Sequence, residues 1–262
     1  MIPEAAITHW RNVAPWPQDA QVEQDLILCR ALVEIFQEPE LSKALLLRGG
    51  TALHKLLITK PQRYSEDIDL VQVTAGPIGS VMSAIRARLD PILGKPRREN
   101  NPNNVTLRYR MESEIAPVVP LRLKIEINTR EHFSVFDPEA RPFAVESPWF
   151  TGRAEVRTYA LDELLATKLR ALYQRRKGRD LFDLWLGLDK MGADPKRIVK
   201  AFRDYMKAEG HKITRKLFEK NLAEKATSRQ FNDDLRPLLT AGVRYDAADA
   251  AQTVSDELLS NL

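Results

Sequence analysis

The stretch from Leu121 to Ile127 constrains this chain most. Leu121, Leu123, Ile125 and Ile127 alternate with Arg122, Lys124 and Glu126. A period of two belongs to a β-strand with one apolar and one polar face, so the chain must build a sheet that buries one side here. Residues 105–111 are a further strand candidate, and the short apolar runs at 44–47 and 68–73 have the length of buried strands. Residues 21–37 read as an amphipathic helix. A second helix starts at 51–57, with Gly50 or Thr51 near its N-cap, and a third covers 78–93, ended by Pro91 and Gly94. The prolines between Pro138 and Pro148 are expected to break regular structure. Beyond about residue 160 the periodicity is helical almost throughout. The fold class is therefore α/β in the α+β sense, with strands and helices mixed in the first part and helices alone in the second. The pattern changes near residue 155, and the expected division is 1–158 and 159–262.

With 262 residues and 44% hydrophobic composition, the chain can form one large domain or two small ones. No apolar run approaches the roughly 20 residues that span a bilayer, and the opening MIPEAAITHW lacks the apolar stretch of a signal peptide. A single cysteine, Cys29, excludes an internal disulfide and a multi-cysteine zinc site, and its helical apolar surroundings read as packing. These features point to the cytoplasm and to no membrane partner. The net charge of +4 is compatible with a polyanionic partner without establishing one. Nine Lys or Arg stand against three acids between Lys196 and Lys220, which is either a solvated helical surface or a contact for RNA.

The segment RYSEDIDLV carries the chemistry. In a strand Asp67 and Asp69 project to one face. Two parallel carboxylates repel unless a cation lies between them, and hard divalent ions prefer such oxygen ligands. Gly50 stands seventeen residues before Asp67, in the order apolar strand, Gly49-Gly50, helix start. Glycines at such a turn let a phosphate approach the backbone N–H groups. Together the two elements read as a site for a nucleoside triphosphate (NTP). Arg63 either pairs with a phosphate or makes a surface ion pair, and Ser65 is placed to hydrogen-bond one. Glu126 either completes the metal ligands and draws a proton from an attacking hydroxyl, or is an edge charge alternating with Lys124. On the helical stripe Leu161, Leu164, Leu165, Leu169 and Leu172, Lys168 either snorkels outward or is held for phosphates. Asp180 and Asp183, three apart at the start of the next helix, are either functional acids or acids favoured there by the helix dipole.

In order, LLLRGGTALHKLL followed by RYSEDIDL, then LKIEIN, LLATKLRAL and KGRDLFDLW, resemble the successive motifs of the AbiEii/AbiGii-type nucleotidyltransferase toxins. That family includes MenT-like enzymes and belongs to the superfamily that resembles DNA polymerase beta in its catalytic core. The resemblance spans residues 44–190. It implies a nucleotidyltransferase-fold N-terminal lobe with a mixed sheet and a helical C-terminal lobe that contributes Lys168 and Asp180 to the cleft. It implies Mg²⁺ (or Mn²⁺), an NTP donor, a cognate antitoxin, and toxicity through modification of RNA, with tRNA 3′ ends as the acceptor. Residue by residue, Gly49, Gly50 and Thr51 match the phosphate turn, Arg63 and Ser65 its flanking contacts, Asp67 and Asp69 the metal pair, Lys168 the lysine of the third motif and Asp180 the acid of the fourth. Superfamily members often carry Gly-Ser where this chain has Gly49-Gly50, so Thr51 is the residue placed to supply the missing hydroxyl. The expected function is transfer of a nucleoside monophosphate from NTP to RNA, blocking translation. The alternatives are the same chemistry on a protein or small-molecule acceptor, and a non-catalytic nucleotide- or RNA-binding module.

Overall fold

The alternating stretch becomes β5 (Pro120–Asn128). Leu121, Leu123, Ile125 and Ile127 are buried, Arg122 is exposed, and Lys124 and Glu126 are half-buried. β5 pairs antiparallel with β4 (Asn104–Glu112) and parallel with β2 (Asp67–Gln72). Residues in register share a face, so Leu107, Tyr109, Ile68 and Leu70 join the apolar side. A slip of one residue would turn this whole set to water, which fixes the register. Full burial of each Leu or Ile is worth about 1.5–3 kcal/mol.

The computed structural model describes residues 2–262 and divides into two units. One comprises Met1–Phe133 and Pro138–Tyr159; the other comprises Ser134–Asp137 and Ala160–Leu262. The first unit holds a mixed seven-stranded sheet in the order β3-β4-β5-β2-β1-β7-β6, where β1 is Leu45–Arg48, β3 Arg97–Asn100, β6 Glu139–Glu146 and β7 Thr151–Thr158. It also holds α1 (Glu4–Trp10), α2 (Asp19–Phe36), α3 (Pro39–Ala44) and α5 (Gly79–Leu93), with α4 (Gly49–Ala52) running directly into a π-helical turn at Leu53–Leu57. α2 packs on β2, β5, β6 and β7 and is buried along most of its length, Cys29 included.

Buried Asp25 of α2 is compensated on two sides. Lys55 Nζ, in the π turn, lies 2.5 Å from its Oδ1, and Trp10 Nε1 donates to Oδ2 at 2.9 Å. Losing Lys55 would strand a buried charge, and losing Trp10 would leave a buried carboxylate oxygen short of its donor, so α1, α2 and the segment after the glycines are fixed to one another.

Two expectations need correction. Pro91 does not end its helix; it sits in the last turn of α5, which closes at Gly94. The proline-rich stretch does not break regular structure either. Pro142 lies within β6, opposite Glu155 of β7. β6 is the edge of the sheet, where a residue without an N–H is tolerated. α1, β3 and β7 had no counterpart in the sequence reading.

The second unit is helical: α6 (Leu161–Gln174), α7 (Gly178–Lys190), α8 (Pro195–Ala208), α9 (Arg215–Ala226), α10 (Arg229–Asp233) and α11 (Ala247–Glu257). α6 packs against α7 and α8, burying Leu164, Leu165, Leu169 and Leu172. Segment 134–137 belongs here because buried Glu163 accepts from Val135 N at 2.8 Å, Phe136 N at 2.9 Å and Tyr205 Oη at 2.7 Å. Among the described residues no helix is long and apolar enough to cross a membrane.

Candidate active site

The polar face of the sheet follows from the same register that buries its apolar face. Asp67 stands opposite Lys124, Asp69 opposite Glu126, and Arg48 of β1 opposite Asp69. Lys124 Nζ lies 2.9 Å from Asp67 Oδ2 and 3.4 Å from Glu126 Oε2. Asp67 keeps 34% of its side chain exposed. Its carboxyl is nonetheless pushed above the usual range, first by partial burial and then by the charge of Asp69, with Lys124 opposing. Lys124 is held above its ordinary value: burial works against its charge, but Asp67, Asp69 and Glu126 together outweigh it. Arg48 likewise has Glu131, Tyr159 and Asp69 outweighing the burial that opposes its charge, and its Nη1 bonds Glu131 Oε2 at 2.6 Å. Arg48 was not singled out in the sequence; its position immediately before Gly49 was the available signal.

Gly49 has φ +78°, a region that L side chains rarely adopt, and a Cβ there would run into the Asp69 carboxylate. The backbone of the turn therefore comes against the second acid directly. At Gly50 a Cβ would lie 2.6 Å from Arg63 Nη2 and 2.9 Å from Ser65 Oγ. Arg63 and Ser65 thus brace the turn, and Arg63 is only 1% exposed, with Nη1 donating to Tyr64 O at 2.9 Å. This corrects the expectation that the Arg63 guanidinium reaches a phosphate. Thr51 is corrected in the same way. It is fully buried, and its hydroxyl donates to Asp67 O at 2.5 Å and lies 2.9 Å from Ser65 Oγ. Its side chain ties the turn to β2.

The donor set suits a divalent cation. Asp67 and Asp69 offer hard oxygens on one face, and the Lys124 ammonium already stands where positive charge is wanted. Glu126 does not complete a three-acid nest: among the described residues no three His, Cys, Asp or Glu side chains are grouped to hold a metal. Glu126 Oε1 instead accepts from Asn104 Nδ2 at 2.9 Å. Two carboxylates fit Mg²⁺, which is usually held by one or two carboxylates together with substrate phosphates.

In the helical unit, Lys168, Asp180 and Asp183 form a buried ion cluster. Lys168 Nζ is 3.3 Å from Asp180 Oδ1 and 2.8 Å from Asp183 Oδ2. Arg175 forks onto Asp180, with Nε at 2.7 Å and Nη2 at 2.9 Å. Both acids have no exposed side-chain surface. Burial alone would raise the Asp180 carboxyl, yet Lys168 and Arg175 hold it below the usual range.

A family model described as the nucleotidyl transferase AbiEii toxin of type IV toxin–antitoxin systems matches residues 30–253. A search of curated protein sequences found no match. Among solved structures the chain resembles MenT4, a nucleotidyltransferase toxin of Mycobacterium tuberculosis, with TM-score 0.62 and 17% identity over 93% of this chain and 85% of that one. It also resembles JHP933 of Helicobacter pylori, with TM-score 0.57 and 18% identity over 92% and 91% of the two chains. These likenesses show a shared nucleotidyltransferase-like fold. The family match covers most of the sequence, and the chain belongs to the AbiEii nucleotidyltransferase family, as an NTP-using toxin with an antitoxin counterpart.

Proposed function

We propose that the protein transfers a nucleoside monophosphate from an NTP to an RNA acceptor, the tRNA 3′ end being the acceptor that the family resemblance implies, and so blocks translation in the cytoplasm. The single observation that carries the chemistry is the Asp67–Asp69 pair on one face of β2, against the Cβ-free turn at Gly49. Asp67 and Asp69 would hold Mg²⁺ or Mn²⁺, which when bound neutralises triphosphate charge and aligns the leaving group. The backbone of Gly49 and Gly50 receives the triphosphate oxygens. Lys124 balances the acids before the nucleotide arrives and is positioned for its phosphates afterwards. Glu126 takes the proton of the attacking hydroxyl as the new phosphorus–oxygen bond forms and pyrophosphate leaves. In this reading Lys168, Asp180 and Asp183 hold α6 to α7 rather than touch the triphosphate, because their charges are already spent on one another.

The test is incubation with each α-labelled NTP, Mg²⁺ and total RNA, followed by a denaturing gel. Label should enter an RNA band with wild type and not with Asp67→Asn. Label that enters only protein or a small molecule would replace the RNA acceptor; label in RNA with Asp67→Asn at the wild-type rate would remove the diacid from the chemistry.

A further inference from the structure

Two arginines on the polar sheet face have no role in the site just described. Arg110 of β4 and Arg122 of β5 stand directly opposite each other in the antiparallel register, and both are exposed. Like charges opposite each other across strands weaken a sheet. Neither arginine has an ion-pair partner among the described residues. Their neighbours differ: on the same face Arg97 and Arg108 share Glu99, at 3.5 and 3.1 Å. In the basic stretch of the helical unit, three of the nine Lys or Arg residues are held in ion pairs. Lys200 pairs with Asp204 at 3.0 Å, Arg215 with Glu219 at 2.6 Å and Arg197 with Asp162 at 2.6 Å. The Arg110–Arg122 pair is instead set apart by its place: two exposed like charges in register on the face that carries the acids, with Glu99 acting on Arg110 only from beyond ion-pair distance. It lies two residues along β5 from Lys124, the residue in register with Asp67, which is about 7 Å of strand.

We infer that Arg110 and Arg122 bind the phosphodiester backbone of the RNA acceptor and hold its reactive end over Asp67 and Asp69. The inference rests on the RNA-acceptor reading above. Two guanidiniums side by side match consecutive phosphates of one strand, where each would donate charge-assisted bonds. Such contacts orient a strand without reading its bases. The repulsion that weakens the free sheet is relieved when the polyanion is bound.

The test uses the full chain, 5′-labelled bulk tRNA and no NTP, with binding followed across a range of salt. Arg110→Glu and Arg122→Glu should each weaken binding about tenfold or more, and each should lower the salt slope by about one. Each variant also turns a like pair into an unlike pair. The melting temperature should therefore stay or rise while RNA affinity falls, a combination that a merely structural role does not give. Binding of Mg²⁺ with an NTP should be unchanged in both variants, and Lys200→Glu on α8 should leave RNA affinity near wild type. Wild-type affinity and salt slope in both arginine variants would overturn the inference while leaving the RNA acceptor in place. Loss that tracks a fall in melting temperature or in nucleotide binding would also overturn it. A wild-type protein that binds no RNA and labels none would instead sink the acceptor reading itself, and the arginine inference with it.

Discussion

Asp67 and Asp69 on β2 and Asp180 and Asp183 on α7 are two pairs of neighbouring aspartates in opposite surroundings. The α7 pair is wholly buried and saturated: Lys168 reaches both acids and Arg175 forks onto one. The β2 pair is partly open, has Lys124 beside Asp67 and Arg48 across from Asp69, and lies against a turn whose glycine backbone comes directly up to Asp69. Close spacing of acids does not distinguish a site from a scaffold. What does is whether their charge is already compensated from within the fold. The charges of the buried cluster are met from within the fold, whereas the open pair leaves negative charge for the proposed cation to meet.

That contrast can be broken at either end. Asp69→Asn should reduce nucleotidyl transfer at least about a thousandfold, the scale of losing transition-state charge stabilisation. Its folding stability should be unchanged or higher, because repulsion with Asp67 is relieved; denaturant unfolding beside a transfer assay reads both. Lys168→Met should do the reverse in kind. It leaves two buried carboxylates short of a cation and should cost about 3–5 kcal/mol of unfolding free energy. If Lys168→Met keeps its stability and loses only NTP use, the helical cluster is a binding element and the contrast fails. Gly49→Ala sharpens the open end. The φ of +78° costs a non-glycine residue about 1–2 kcal/mol, and the added Cβ meets the Asp69 carboxylate. Transfer should fall much further than stability does.

The smallest effect concerns a third buried charge, Lys225 of α9, which donates to the Leu172 and Tyr173 carbonyls at the end of α6. Burial, reinforced by Arg176, pulls its ammonium down to about 8 from an ordinary 10.5, with Asp180 opposing. Between those two values the unfolded chain binds more protons than the folded one, so this residue makes stability rise with pH across that window. Lys225→Met should flatten that rise when unfolding is measured from pH 8 to 10.5, and an identical slope in both proteins would remove the contribution.

Much of this was legible in sequence. The period of two in β5 and the Asp-x-Asp of β2 declare which side chains share a face, and the leucine stripe of α6 declares its buried side. The partners across strands were not legible. Lys124 beside Asp67 and Arg48 beside Asp69 arise from non-local register, which no short window contains. Arg63 and Thr51 stand next to the motif in sequence, yet packing turns their side chains beneath the turn. β6 was missed because Pro142 argues against a strand unless the strand is known to be an edge.

The claim that the β2 acids gather a divalent ion together with a triphosphate is tested most directly by Mn²⁺ binding, followed by electron paramagnetic resonance with and without a non-hydrolysable NTP analogue. With only two carboxylates available, wild-type protein should take up Mn²⁺ strongly when the analogue is present and weakly without it. A folded Asp67→Asn/Asp69→Asn double variant should show neither. Nucleotide-dependent Mn²⁺ uptake of wild-type strength in that variant would contradict the account.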